Sequence, residues 1–189
     1  LADVAPELRR AAKTLNFGVL YGMGARALAE SAGMPRDEAQ RFIDEYFHNF
    51  SGIREYIEKT KQFVRERGYA ESLFGRRRHI PEINSPNFRI RAEAERMAVN
   101  MPIQSTATGD IIKMAMIAVD AWIKKEGLGD AARLLLQVHD ELVFEIKKDK
   151  VAAIAPKIKA IMESAAELKV PLVVDVKSGP NWGEQEMIL

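Results

Sequence analysis

Four residues near the start of the chain could do chemistry together: Arg9, Lys13, Phe17 and Tyr21, each four positions after the last. On an α-helix this spacing sets them along one face, climbing about 6 Å per step over a row about 18 Å long. Two cations suit a polyphosphate, which takes point charges and forked donors. Two aromatics suit a planar base, which takes a stacking face. Together they describe a nucleoside triphosphate laid along a helix, phosphates toward Arg9 and Lys13, base toward Phe17 and Tyr21. A helix with a basic start and an aromatic core contact has the same spacing, so the row alone leaves both readings open.

Three further groups carry possible chemistry. Arg96, Asn100 and Gln104 again stand at four-residue steps. Such a stripe is poor core material, because each buried amide must find partners. It is good material for bonding sugars, phosphates and minor-groove acceptors, although an ordinary polar face fits it too. His139-Asp140-Glu141 separates two β-type runs, Leu134–Val138 and Leu142–Ile146. Adjacent carboxylates on a hairpin tip call for a cation, and an oxygen-ligated ion such as Mg²⁺ is the natural one. A plain polar turn accounts for the same residues. Arg76, Arg77 and Arg78 run consecutively along a short strand and so point to both of its faces. They fit a DNA backbone contact and a charge-protected sheet edge equally well.

The elements that must position these groups follow from hydrophobic period and from glycine and proline. A helix over 7–22 ends at Gly22 and Gly24, and Gly18 lies inside it. Glycine there costs about 1 kcal/mol against alanine, so close approach of a ligand or another backbone is expected. Helices follow over 25–32, from Arg36 to about Phe47, and from Gly52 to about Arg67. The period then shifts to that of a hairpin, Tyr69–Phe74 and Arg77–Ile80 around Gly75-Arg76, with a loop over 81–88. A long helical pattern from Arg89 to Lys125 is interrupted by Pro102, and its second half is apolar nearly all round. After the acidic hairpin come a helix over 149–168 and a third strand over 170–177. The reading is an α+β fold: helices first, then a small antiparallel sheet backed by helices.

Composition sets the bounds. At 189 residues the chain suffices for one large domain or two small ones sharing a core. The net charge of +1 announces no global basic field, but basic residues cluster around 9–13, 65–78 and 89–96, and local clusters govern polyanion binding. The absence of cysteine excludes disulfides and thiolate metal sites and fits a cytoplasmic protein. No apolar run approaches membrane-spanning length, and the start has no signal-peptide pattern, so no membrane partner is expected. There is no G-x-x-x-x-G-K-[ST] loop and no dinucleotide fingerprint, which counts against a phosphohydrolase or kinase-like enzyme. The chain opens without Met and soon enters a functional-looking helix, as a piece of a longer protein would.

Taken together, R-x-x-x-K-x-x-x-F-x-x-x-Y-G and the later Q-V-H-D-E resemble the DNA polymerase I family, the family-A DNA polymerases. The intervening L-F-G-R-R-R-x-x-P, A-E-R-M-A-x-N-x-P-x-Q and D-I-I-K segments resemble it as well, in the family's order, from about Arg9 to Trp182. The resemblance implies helical fingers with a small hairpin over residues 1–95 and a partial palm with the catalytic hairpin over 96–189. It implies that Arg9 and Lys13 hold the incoming dNTP, that Phe17 packs on its sugar and base, and that Tyr21 sits by the template base. Asp140 would bind catalytic Mg²⁺ with Glu141 close by, and Lys13 would stabilise charge or donate a proton at the leaving pyrophosphate. His139 would lie near the primer terminus, and Arg96, Asn100 and Gln104 would face the primer–template DNA.

The departures are as informative. The family's second catalytic aspartate, in a D-Y-S-Q-I-E-L-R-like strand, has no counterpart in this sequence, nor does a thumb. A fingers-plus-partial-palm fragment, inactive alone, is therefore expected, with the missing palm strand and thumb as its partners. Where the family commonly shows Q-G-T-A-A-D, this chain has Gln104-S-T-A-T-G-Asp110, one residue longer, which loosens the helix register just after Gln104. The alternative to a template-directed DNA polymerase is a non-catalytic DNA-binding module using the same basic and amide faces.

Overall fold

The computed structural model describes residues 5–189, as two compact units that meet in sequence at Ile103 and Gln104. The first unit is helical. α1 (Pro6–Leu20), α2 (Ala25–Ala32), α3 (Arg36–Asn49) and α4 (Ser51–Arg67) follow one another through short turns. α1 to α3 close on Val19, Leu28 and Ala39, with Ile43, Tyr46 and Phe47 packed around them. The Tyr46 hydroxyl donates to Asn16 Oδ1 at 2.8 Å and so ties α3 to α1. β1 (Tyr69–Glu71) and β2 (Arg77–His79) pair antiparallel, with Tyr69 opposite His79 and Glu71 opposite Arg77. This hairpin is shorter than the sequence suggested, and the stretch expected as a loop contains a 3-10 turn, Pro81–Asn84, that buries Ile83. α5 (Phe88–Gln104) closes a second cluster with α4 and the hairpin, around Val64, Ala70, Ile80, Ala94 and Ala98.

Pro102 does not interrupt the helix. It stands inside α5, where the missing amide forfeits one bond near the C-terminal end. The interruption comes later, as a π-helix over Ser105–Ile111 in which the amide of Ile112 donates to the carbonyl of Ala107, five residues back. A π-turn holds one residue more than an α-turn. The extra residue between Gln104 and Asp110 is taken up there, and α6 (Ile112–Lys125) resumes the α pattern with Ile112, Ala115, Val119 and Ile123 buried.

In the second unit α6 and α7 (Val151–Glu163) pack with the hairpin β3 (Ala132–Val138) and β4 (Glu141–Ile146) around Val119, Ile123, Ala132, Ile154 and Ile158. A 3-10 turn, Lys148–Lys150, precedes α7, which is shorter at both ends than its apolar pattern. The strand expected over 170–177 does not form. Strands β5 (Lys177–Asn181) and β6 (Glu184–Met187) pair with each other instead, so each of the three sheets among the described residues has two strands. A strand needs a partner backbone; before Lys177, Val176 still bonds the backbone of Ile188 and Leu189, but Val174 finds side chains. The amide of Val174 donates to Glu163 Oε1 at 3.0 Å, and its carbonyl accepts from Lys159 Nζ. The fold class is nevertheless α+β: among the described residues the 15-residue α1 comes first and every sheet is small and antiparallel. No helix among the described residues is long and apolar enough to cross a membrane.

Candidate nucleotide and nucleic-acid interface

From Arg9 to Tyr21 the sequence contains no Asp or Glu. Arg9 and Lys13 are exposed on α1, and no ion pair engages either among the described residues. Phe17, 50% exposed, lies with its ring parallel to that of Tyr21, 6° apart in plane and 6.2 Å between centroids. The first three residues are on the helix as expected. Tyr21 is not: α1 ends at Leu20, and Tyr21 is its half-buried C-cap.

The cause of that ending is local. Gly22 takes φ +86, a left-handed conformation that a side chain would strain. Its amide donates to Val19 at 3.1 Å, and the amide of Met23 donates to Gly18 at 2.7 Å. These two bonds are a Schellman motif, which satisfies carbonyls that the helix end leaves open. Gly18 is explained by the same turn. No second backbone crosses it; a Cβ there would lie 2.6 Å from Cε of Met23, whose side chain folds back over the glycine.

On α5, Arg96 is exposed and its Cγ lies 3.7 Å from the position a Gly22 Cβ would take, so the stripe begins beside the end of α1. Asn100 is half-buried, and its Oδ1 is enclosed without a hydrogen-bond partner among the described residues. Gln104 is exposed at the last position of α5. Tyr56, which the helical period marks only as core, proves to be part of this surface. Its hydroxyl donates to the Val99 carbonyl at 2.9 Å. Burial pushes that hydroxyl's pKa up against a hydrogen bond with Thr60, and the nearby Tyr21 phenol adds to the rise. Of the three consecutive arginines, Arg77 pairs with Glu71 at 2.5 Å and lies over the Tyr69 ring at 4.6 Å. Arg78 rests 3.3 Å from Met97 Sδ, and Arg76 is exposed at the hairpin tip.

In the second unit Val138 pairs with Glu141, so the turn of the acidic hairpin is His139-Asp140 and Glu141 already belongs to β4. All three are exposed. His139 has φ 53, and Gln137 Nε2 donates to its carbonyl at 2.5 Å, a brace the sequence signalled only as the polar residue next to Val138. Asp140 and Glu141 border a cavity of about 1290 Å³ between β4, α7 and the chain over 173–182. Carboxylate oxygens match a hard divalent cation in kind. They do not match one in number: no group of three or more His, Cys, Asp or Glu that could hold a metal occurs among the described residues.

The sequence profile of DNA polymerase family A matches residues 1–184. The chain belongs to this family. It is 49% identical over 184 residues to DNA polymerase I of Pseudomonas aeruginosa, a match covering 97% of this chain and 20% of that protein. It is likewise 49% identical over 179 residues to the thermostable DNA polymerase I of Thermus aquaticus, covering 95% and 21%. The family-A chain thus spans about a fifth of the length of these relatives. Among solved structures, the POL domain of Pol1 from M. smegmatis, in complex with DNA primer-template and dNTP, superposes with a TM-score of 0.84 at 42% identity. That superposition covers 90% of this chain and 30% of the other. Membership in the family accounts for a helical first part and small antiparallel sheets in the second.

Proposed function

We propose that the chain carries the dNTP-binding surface and part of the catalytic surface of a template-directed DNA polymerase. The observation that carries this reading is the α1 face: Arg9 and Lys13, exposed and without an ion pair among the described residues, then the half-exposed Phe17 ring parallel to that of the half-buried C-cap Tyr21, with no acid from Arg9 to Tyr21. Arg9 and Lys13 bind the triphosphate, Phe17 packs on sugar and base, and Tyr21 lies beside the template base. Arg96, Asn100, Gln104 and His139 face the primer–template, residues 1–95 acting as fingers and 96–189 as palm.

In the reaction a primer 3′-oxygen bonds to the dNTP α-phosphorus, the bond to the bridging oxygen breaks, and pyrophosphate leaves. Lys13 neutralises the charge gathering on pyrophosphate or hands it a proton, and closure of α1 over a correct pair excludes water. Asp140 would hold the divalent ion, taken to be Mg²⁺, with Glu141 beside it. Bound there, such an ion would supply Lewis acidity for the displacement. Two carboxylates on one hairpin are too few for such a site, and no larger group occurs among the described residues; on this reading a further carboxylate is supplied by the palm strand that the family carries and this sequence lacks, and the chain alone is inactive. The same shortage of ligands favours a second reading, a DNA-binding module without catalysis. A cytoplasmic setting suits either.

A labelled primer–template titrated with the chain across a salt series, with and without the next correct dNTP and Mg²⁺, separates the two. Salt-sensitive binding that the correct dNTP tightens, and that Lys13→Ala weakens by about 10-fold or more, is the expected outcome. Binding indifferent to dNTP and to Lys13 leaves the plain DNA-binding module.

A further inference from the structure

Met23 returns to Gly18 twice. Its amide donates to the Gly18 carbonyl at 2.7 Å, and its side chain occupies the space where a Cβ on Gly18 would be, 2.6 Å from Cε and 2.8 Å from Sδ. Tyr21 lies within the loop so closed. Its backbone at φ −95, ψ 18 is the point where the chain leaves the helix, and the Gly22 bond to Val19 fixes the next peptide. An apolar contact between these two positions commonly accompanies a Schellman end. Here it has an uncommon form, because one partner is glycine and the thioether lies directly on the backbone.

We propose that Gly18 and Met23 are positioning residues for Tyr21, the Met23 side chain seated over Gly18 locking the turn that aims the tyrosine ring. The inference rests on the reading of Tyr21 as the residue beside the template base, and it adds two residues to the determinants of base selection. Without the thioether on Gly18 the two amide bonds alone hold the turn, and the ring is free to leave its parallel arrangement with Phe17. The seat can be vacated without breaking α1. A cavity of about 310 Å³ lies beside it, bordered by Val19, Gly22, Met23, Ile43 and Phe47, and it offers the displaced side chain somewhere to go. Gly18→Ala therefore leaves the helices folded and disturbs the turn.

The chain's four tyrosines, at 21, 46, 56 and 69, supply the reporter and its controls. In full chain labelled with 3-fluorotyrosine, with the Tyr21 signal assigned by Tyr21→Phe, the ¹⁹F resonance is compared in Gly18→Ala, Met23→Ala, Met23→Leu and the Gly18→Ala/Met23→Ala pair. Each alanine variant alone is expected to shift or broaden the Tyr21 signal while the signal of Tyr69, which lies outside the cluster around Met23, stays in place. Met23→Leu restores most of the original position. In the pair, Gly18→Ala adds little to Met23→Ala, because the atom it collides with is gone. A Tyr21 signal unmoved by either single change overturns the inference, as do effects that simply add or that move all four signals together. The readout for base selection is the affinity for correct against incorrect dNTP on primer–template, with Lys13→Ala as control. A coupled Tyr21 shift that leaves this ratio unchanged keeps the latch and removes the assignment of Tyr21. Loss of dNTP dependence in the unaltered chain, by contrast, defeats the α1 reading itself.

Discussion

At the scale of single residues, the site is marked by groups that would be uneconomical in a purely structural surface. Phe17 is half exposed, Arg9 and Lys13 have no counter-ion among the described residues, and Asn100 encloses an oxygen without a donor. An enclosed polar atom left unsatisfied costs about 1–3 kcal/mol. On the proposed reading, Asn100 is a place where stability is given up for a contact with the primer–template. Asn100→Leu, close in size, should raise the midpoint of thermal unfolding while weakening primer–template binding, measured by melting and by titration on the same preparation. If stability falls instead, the oxygen is satisfied in solution and the residue belongs to the fold. The stripe containing Asn100 was legible in the sequence because amides at four-residue steps are rare in cores. Tyr56 and Met23 were not, since a helical period shows which side chains point inward and says nothing of which carbonyl or glycine they meet.

Elements fared differently according to where their hydrogen bonds lie. Each α-helix satisfies its backbone within one segment, so α2 and α4 fall within a residue of the bounds that period and glycine suggest. Strands depend on a partner far away in sequence, and Val170-Pro-Leu-Val-Val-Asp-Val176 reads as a strand yet forms none, Val174 being clasped by side chains of α7 while Val176 bonds the backbone of Ile188 and Leu189. That clasp makes a pH prediction. The Lys159 ammonium bonded to Glu163 at 2.7 Å, and then the Val174 amide, hold the Glu163 carboxyl below its ordinary range. A depressed folded pKa gives stability that is present above the ordinary carboxyl value, about 4.3, and lost as pH falls through the folded one. Hydrogen-exchange protection of the Val174 amide should accordingly drop below about pH 4, and Glu163→Gln should flatten that step. The π-turn makes a second prediction. If Ser105–Ile111 holds one residue in excess, deleting Gly109 leaves α6 in phase with its core. It also removes a poor helix former, a gain of about 1 kcal/mol visible as a higher melting temperature. Unfolding on deletion would mean that the π geometry sets the phase of Val119 and Ile123.

For the whole molecule, the question is how grip and chemistry are divided. The net charge is only +1, so the attraction to DNA proposed for this chain would have to come from where the cations sit, and the α1 row is one such place. Asp140 contributes the opposite sign at the hairpin tip. On its own it repels phosphate, and under the proposed function it would become useful once a divalent ion screens it. Asp140→Asn consequently has opposite consequences for the two halves of the function. In the 189-residue chain it should leave primer–template binding intact or slightly tighter at low salt, since a repulsive charge is gone. Joined to a segment that supplies the further carboxylate, the same change should slow primer extension by about 10²-fold or more, the loss of several kcal/mol of charge stabilisation. Measuring both in parallel decides what the hairpin is for. Binding that collapses with Asp140→Asn would place the aspartate in the fold of the β3–β4 turn, where Gln137 already braces His139. Binding that persists while extension fails would assign the grip to the fingers and amide faces, and the chemistry to the two carboxylates at the hairpin tip.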